Sequence, residues 1–305
     1  MIAVLSALAA LGVAFVTAAS YSRTWYLALI ANFRPHLTVV SWVALLVMAL
    51  VPLPVVPKLV MLLAAFGAAV VNLAETILRT PRSTAVPGGR RLRLAFANVL
   101  KSNPDATRLI EWVRREKPDV LVVAESIAYW PERLAVLSDE LPFIVKTRIG
   151  DVAIYSRHEI VGEPQHIFAN VGHALAVRIL DLTVVGVHTA APEDAAMSAA
   201  CDALINRVGH HADGVTGPVA VVGDFNATPW SAAVKRMVGS TGLRYGPGAR
   251  IGTFPAELAG RLWPTWVGIP LDLVLAGHGA AVVARRHGPL IGSDHWPVIA
   301  EIAYK

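Results

Sequence analysis

Three long stretches in the first 78 residues carry no charged side chain: residues 1–22, 35–57 and 59–74. Each approaches the ~20 residues that a helix needs to cross the apolar part of a bilayer. A helix is also the form in which such a segment satisfies its own backbone away from water. The third run becomes a full span when it is extended through Glu75 to Leu78. The first run has the length of a secretory signal, but no Lys or Arg precedes its apolar core, so a membrane helix is the better reading. The prolines of "VPLPVVPK" mark a hinge between the second and third runs. The expectation is an anchor of about three transmembrane helices over residues 1–78. Composition agrees, because 55% hydrophobic against 16% charged residues is oilier than an ordinary soluble domain.

The formal net charge of +5 would by itself suggest a nucleic-acid partner. Its distribution argues otherwise. Residues 1–93 hold eight Lys or Arg against the single acid Glu75, a net of +7; the rest hold 19 against 21, a net of −2. The basic excess lies around the membrane runs, where anionic head groups are the natural partner, and nucleic acid becomes the weaker expectation. The single cysteine, Cys201, excludes an internal disulfide and a multi-cysteine metal site, and its helical surroundings make it a small buried hydrophobe.

Residues 79–92 are rich in Pro, Gly, Ser and Arg and read as a basic linker. From residue 93 to 305 short apolar runs alternate with helical periods. "LRLAFANV", "DVLVVAE", "DVAIYSR", "ALAVRIL", "LTVVGVHT", "VAVVGDF", "LDLVLAG" and "WPVIAEIAY" read as strands. "DATRLIEWVRREK", capped by Asp105, "PERLAVLSDEL" and a segment from about Glu193 to His211 read as helices. Several strands follow one another without a helix between them, which excludes a purely parallel sheet and favours a mixed α/β or α+β sandwich.

Polar residues of catalytic type recur where these strands end. Asn98 follows "LAFA", Glu125 follows "VLVVA", His188 follows "VVGV", and Asp224 and Asn226 follow "AVV". Asp272 stands in "PLDLVL", and Asp294 and His295 stand just before the last strand. Any one of them alone is a turn or a cap; together they describe a site assembled from several strand ends. Carboxylates without cysteine suit a hard divalent cation, an Asp beside a His fixes its tautomer, and an Asn amide can hold an anionic oxygen. Hydrolysis of a phosphoester uses all of these.

The ordered set "FANV", "VVAES", "VVGVHTAAP", "VVGDFNATP", "PLDLVL" and "GSDHWPV" resembles the endonuclease/exonuclease/phosphatase superfamily, with its DNase I-like fold, over residues 93–305. The resemblance implies a four-layer sandwich, two mixed β-sheets face to face with helices outside, and a phosphoesterase dependent on Mg²⁺ or Mn²⁺. It makes Glu125 the principal metal ligand, with Asn98 beside it and Asp294 assisting. Asp224 would orient or deprotonate the attacking water and Asn226 would bind the scissile phosphate. His295 would contact the phosphate, oriented by Asp272, and His188 would be a second phosphate contact or acid. Leu273 stands where many members carry His or Tyr after the aspartate. Apolar spans ahead of such a domain also resemble a bacterial membrane-bound branch that includes proteins associated with teicoplanin resistance. That branch implies a multi-pass protein of the inner membrane acting on a lipid-linked phosphate such as undecaprenyl pyrophosphate.

Two other functions fit the fold class. One is a metal-dependent nuclease, which the −2 charge of residues 94–305 disfavours. The other is a non-catalytic module docked on membranes, which has no need of the full polar set. Orientation has two opposed indications. Arg23, Arg34, Arg79, Arg82, Arg90, Arg91 and Arg93 outweigh Lys58 and place the catalytic part in the cytoplasm, whereas the lipid-phosphatase analogy places it outside. Trp263 and Trp266 are candidates for a cleft or a lipid contact, and Arg285, Arg286 and His287 read as a charged turn.

Overall fold

The computed structural model describes residues 2–78, 80, 82, 83, 86 and 88–305, without the side chains of residues 2 and 78. Of the interval read as a linker, Arg79, Pro81, Thr84, Ala85 and Pro87 lie outside the described residues, and residues 90–92 already belong to a strand. The chain divides into two compact units: Met1–Thr80 with Trp230–Ala232, and Pro81–Pro229 with Ala233–Lys305.

The first unit is helical. α1 (Ile2–Ala19) is followed by the short α2 (Trp25–Ala28), a 3-10 turn, α3 (Arg34–Leu50) and α4 (Val55–Leu78). The break between α3 and α4 falls on residues 51–54, at the first prolines of the expected hinge. Small residues let the helices approach: Ala10, Ala44, Ala65 and Ala68 are buried, while Leu8, Phe15, Leu46 and Leu63 point outward. Among the described residues two helices are long and apolar enough to cross a membrane, Trp25–Leu50 and Val55–Ile77; the apolar helix Ala3–Ala19 is shorter. Of the three expected spans, two therefore have full length. All three helices are tied by buried polar groups. Arg34 Nη1 donates to Asn72 Oδ1 (2.6 Å), and Asn72 Nδ2 donates to Thr17 Oγ1 (2.8 Å) and Ser41 Oγ (3.4 Å).

The second unit is built on two six-stranded mixed sheets. The strands are β1 (Arg90–Asn98), β2 (Val120–Ala124), β3 (Phe143–Lys146), β4 (Val152–Ser156), β5 (Ile160–Ala169), β6 (Gly172–Ile179), β7 (Leu182–His188), β8 (Val219–Asp224), β9 (Arg244–Tyr245), β10 (Glu257–Leu258), β11 (Arg261–Leu262), β12 (Asp272–Gly277), β13 (Ala280–His287) and β14 (Val298–Tyr304). One sheet has the order β13-β14-β1-β2-β4-β3, the other β5-β6-β7-β8-β12-β9, and β10-β11 form a separate hairpin. Within the sheets, β1 and β2 are parallel, as are β7 and β8, and the other pairings are antiparallel.

Strand alternation assigns each face its neighbour. Leu94, Phe96, Val120, Val122 and Ile154 of one sheet meet Leu175, Val177, Val184, Val222 and Val274 of the other in a single core. The intervening residues Ala95, Leu121, Val123 and Tyr155 pack on Leu109 and Trp112 of α5 (Thr107–Glu116) and on Trp130 of α6 (Trp130–Leu134). Val185, Val187, Val221 and Leu275 pack on Leu204 and Val208 of α7 (Ala195–Gly214) and Met237 of α8 (Ala232–Ser240). The result is helix, sheet, sheet, helix. Full burial of each such Val or Leu contributes about 1.5–3 kcal/mol. Gly186 is required where the sheets close on one another, because a Cβ there would lie 2.6 Å from Val122 Cγ1.

Most expected elements are present. Asp105 accepts from Thr107 N (2.9 Å) at the start of α5. "PERLAVLSDEL" yields only the five-residue α6 and a 3-10 turn. The expected charged turn at 285–287 is instead the end of β13, where Arg286 pairs with Glu116.

Candidate functional site

The site is the open end of the core between the two sheets. Leu94 and Phe96 face that core, and two residues on along β1 the same face presents Asn98. In the other sheet Ala220 and Val222 lead along β8 to Asp224, and Val184 leads along β7 to His188. Register aligns the rest: His188 lies beside Asp224 and Asp224 beside Asp272 across three neighbouring strands. Asp272 begins a strand antiparallel to β8, and residues 294–295 precede β14, antiparallel to β1, so strand starts and strand ends meet at one edge. Gly223 allows the close pairing of β7 and β8, since a Cβ there would stand 2.0 Å from the Val187 carbonyl oxygen.

Asn98 links the two sheets. Its Nδ2 donates to Glu125 Oε1 and to Asp224 Oδ2, both at 3.1 Å, and its Oδ1 accepts from Leu100 N at 3.0 Å. Glu125 follows β2 in a left-handed conformation (φ 58°), and its Oε2 accepts from Lys101 N at 2.9 Å. A strained non-glycine residue at a strand end is a feature of functional sites. Asn226 is also left-handed (φ 44°), a conformation that Asn tolerates. Asp224 and Asn226 therefore do not share a face through an extended segment. A turn brings them together instead, with Asn226 N donating to Asp224 Oδ1 (2.8 Å) and Asn226 Nδ2 donating to Thr189 O (3.0 Å) and lying 3.5 Å from Asp224 Oδ2. Phe225 between them is fully buried against the α7 side.

Two histidines are each held by a carboxylate. His295 Nδ1 is 2.9 Å from Asp272 Oδ2, and its Nε2 is 3.6 Å from Asp224 Oδ2. Burial opposes charge on this ring, but Asp272, Asp224 and Asp294 together outweigh it and push its pKa up to about 10. His188 Nδ1 is 2.8 Å from Asp151 Oδ2. Burial again opposes the charge, and Asp151, with Asp224 and Glu125 behind it, pushes the His188 pKa up to about 9. In both cases the carboxylates favour the charged form of the ring, which suits an anionic ligand. Asp294 is raised above the ordinary carboxylate range by burial, with Glu125 and Asp224 adding to the effect and His295 opposing it.

Every residue expected at the site from the sequence lies in this cluster. Two were missed. Asp151 directly precedes β4, and Thr253 Oγ1 accepts from Leu271 N (3.1 Å) and Asp272 N (3.0 Å), fixing the backbone of Asp272. Arg285 Nη2 donates to Asp272 O (3.2 Å), so it serves the scaffold of the site.

The chemistry of the donors sets where a cation would fit. Asp224, Asp272 and His295 place ligand atoms within 4.8 Å of one another. His295 is engaged by Asp272 through its Nδ1, with its Nε2 3.6 Å from Asp224 Oδ2. Glu125, Asp224 and Asp294 are hard oxygen donors, the first two near enough to add to the raised pKa of Asp294, with the Asn98 amide beside them, and this set suits a divalent cation of the Mg²⁺ or Mn²⁺ type.

Loss of Asp151 gives a test with a definite sign. His188 titrates near 6.5 when unfolded and near 9 in the fold. The stability from its ion pair is present in full below about pH 6.5 and is lost as pH rises through about 9. Asp151→Asn is expected to cost about 1.5–3 kcal/mol, the worth of a hydrogen bond to a charged group, seen as a lower Tm. That Tm difference should be largest at pH 6 and close above pH 9 in thermal melts; a pH-independent difference would contradict the assignment.

Solved structures share this architecture. An endonuclease/exonuclease/phosphatase from Beutenbergia cavernae DSM 12333 matches with 20% identity over 70% of this chain and 72% of that one, at a TM-score of 0.57. D. rerio TDP2, complexed with a single-strand DNA product, matches with 14% identity over 70% and 98%, at 0.58. The 3' phosphatase NExo from Neisseria, bound to a product DNA hairpin, matches with 17% identity over 70% and 99%, at 0.55. Among curated proteins none matches the chain. The model of the endonuclease/exonuclease/phosphatase family matches residues 95–295, an interval that runs from β1 to His295 and holds every residue of the cluster. The chain belongs to the endonuclease/exonuclease/phosphatase family, whose members are generally hydrolases of phosphoesters.

Proposed function

We propose that the protein is a membrane-anchored, divalent-metal-dependent phosphohydrolase, a phosphomonoesterase, phosphodiesterase or pyrophosphatase, acting on a lipid-linked phosphate of the undecaprenyl pyrophosphate type. The observation that carries the hydrolase reading is the joining of Asn98, Glu125 and Asp224 across the two sheets beside two carboxylate-held histidines. A Mg²⁺ or Mn²⁺ ion held by Glu125, with Asn98 and Asp294, would supply charge on the phosphoryl group and acidify a water. Asp224 receives the proton of the attacking water. Asn226 and the charged rings of His295 and His188 hold phosphoryl oxygens, and Asp272 and Asp151 aim those rings.

The anchor of this reading is residues 1–78, with α1 counted as a third span beside the two full-length helices. The buried network of Thr17, Arg34, Ser41 and Asn72 supports the count, because polar side chains in membrane bundles turn inward and bond across helices. Washing membranes with high salt and carbonate is expected to leave the protein in the pellet; release by salt alone would contradict spanning helices. A reporter fused to the C-terminus decides between the cytoplasmic and the outer location.

A nuclease is the second reading, favoured by the DNA products bound in the TDP2 and NExo structures. The two separate in one experiment: phosphate release or chain cleavage by the full-length protein across lipid pyrophosphates, phospholipids, and single- and double-stranded DNA. The proposal expects the lipid-linked phosphates to turn over fastest, and faster turnover of DNA would replace it with the nuclease.

A further inference from the structure

We propose that the β10-β11 hairpin and the loop after it form a bilayer-contacting element that seats the open edge of the site on the lipid surface. This rests on the membrane-anchored reading, and it narrows the substrate class to phosphoesters presented at head-group depth by an amphiphile. Leu258, Leu262 and Trp266 are 50%, 63% and 80% exposed, and Trp266 is the most exposed large hydrophobic residue described in the second unit. Leaving these three side chains in water forgoes the gain from burying them, and an indole suits the interface, where an apolar ring and a polar N–H are both satisfied.

The hairpin is fastened to the catalytic edge and not to a distant loop. Ala256 N donates to Asp294 O (2.6 Å), Trp263 N to Ala256 O (2.9 Å) and Trp296 N to Thr253 O (2.8 Å). The Phe254 ring stands 5.0 Å from that of His295. Whatever holds the tip thus fixes the height of Asp294 and His295 above it. The hairpin's charges are Glu257 and the exposed Arg261, which cancel, so its tip carries no net repulsion toward anionic lipid.

A bilayer is the occupant within reach. Only residues 79–89 separate α4 from β1. A chain of that length extends at most about 40 Å, so the second unit stays near any membrane that holds the first.

The test uses the full chain with Leu262→Cys carrying a bimane label, reconstituted in phosphatidylcholine vesicles with and without nitroxide-labelled lipid. The native Cys201 is buried and its thiol is pushed up to about 12 by burial, so it does not compete for the label. Asp213→Cys is the control: it is exposed near the end of α7, beside the start of β8, whose other end carries Asp224. The label at 262, and again at 258 in Leu258→Cys, should lose most of its emission to nitroxide lipid while the label at 213 keeps its own. Equal emission at 262, 258 and 213 would overturn the proposal. So would energy transfer between copies labelled at 262 with no lipid quenching, which assigns the hairpin to a second copy of the chain. Because the readout needs no turnover, quenching at 262 in a protein that releases no phosphate would sink only the hydrolase reading, whereas failure to float with vesicles would sink the membrane anchor and this proposal with it.

Discussion

Asp224→Asn is expected to lower kcat about a hundredfold or more, the scale of a lost general base, on any phosphoester the wild type hydrolyses. The folded state should survive, because Asn keeps the shape of the side chain and an oxygen to accept from Asn226 N, now 2.8 Å from Asp224 Oδ1. Asn226→Ala should cost a comparable factor through the lost amide, a loss of charge stabilisation of the size seen when one oxyanion donor is removed, about 10²-fold. The two side chains share one turn, with Asn226 Nδ2 lying 3.5 Å from Asp224 Oδ2, and both serve one transition state. The double mutant should therefore be far less impaired than the product of the two losses. Steady-state kinetics of the four proteins measure this. Near-normal turnover in both single mutants would reduce "GDFNATPW" to a turn.

Much of this site was legible because the alternation of a strand does not stop where the core does. An apolar run such as "AVV" in β8 continues on the same face into Asp224, and "LAFA" in β1 continues into Asn98. A polar residue at the end of a buried strand is thus a residue at the edge of the intersheet core. Asp151 stands before the apolar run of β4 as an ordinary turn acid would, and only the antiparallel pairing of β4 with β2 carries it to the edge beside Glu125. Thr253 escaped because it acts through backbone amides that only the folded loop brings to it. The geometry of Asn226 was also out of reach, since its left-handed backbone depends on the turn after β8 and a period of two along the sequence does not report it.

The helical unit shows the reverse limit. Charge-free runs located α1, α3 and α4, but a single Thr, Ser or Asn in an apolar run carries no periodic signal. Thr17, Ser41 and Asn72 acquire a meaning only when Arg34 is found buried among them. Likewise Arg285 read as part of a charged turn, and became intelligible once β13 placed it under the Asp272 carbonyl.

The other large effect is expected at the cation site. Glu125 stands at the meeting of the two sheets, its two oxygens spaced by Asn98 Nδ2 and Lys101 N and its charge felt by Asp294 and His188. Glu125→Gln keeps the size and the hydrogen-bonding oxygen but removes the charge that a hard divalent ion selects. The loss should exceed that at Asp224, because the metal site and the charge it supplies to the phosphoryl group fail together. The direct measurement is phosphate release by the full-length protein after EDTA treatment, then with Mg²⁺ or Mn²⁺ restored, for the wild type and for Glu125→Gln. The expected result is no release in EDTA, recovery of the wild type with either ion, and no recovery of Glu125→Gln; full turnover in EDTA, or a Glu125→Gln protein as active as the wild type, would contradict a metal held by Glu125.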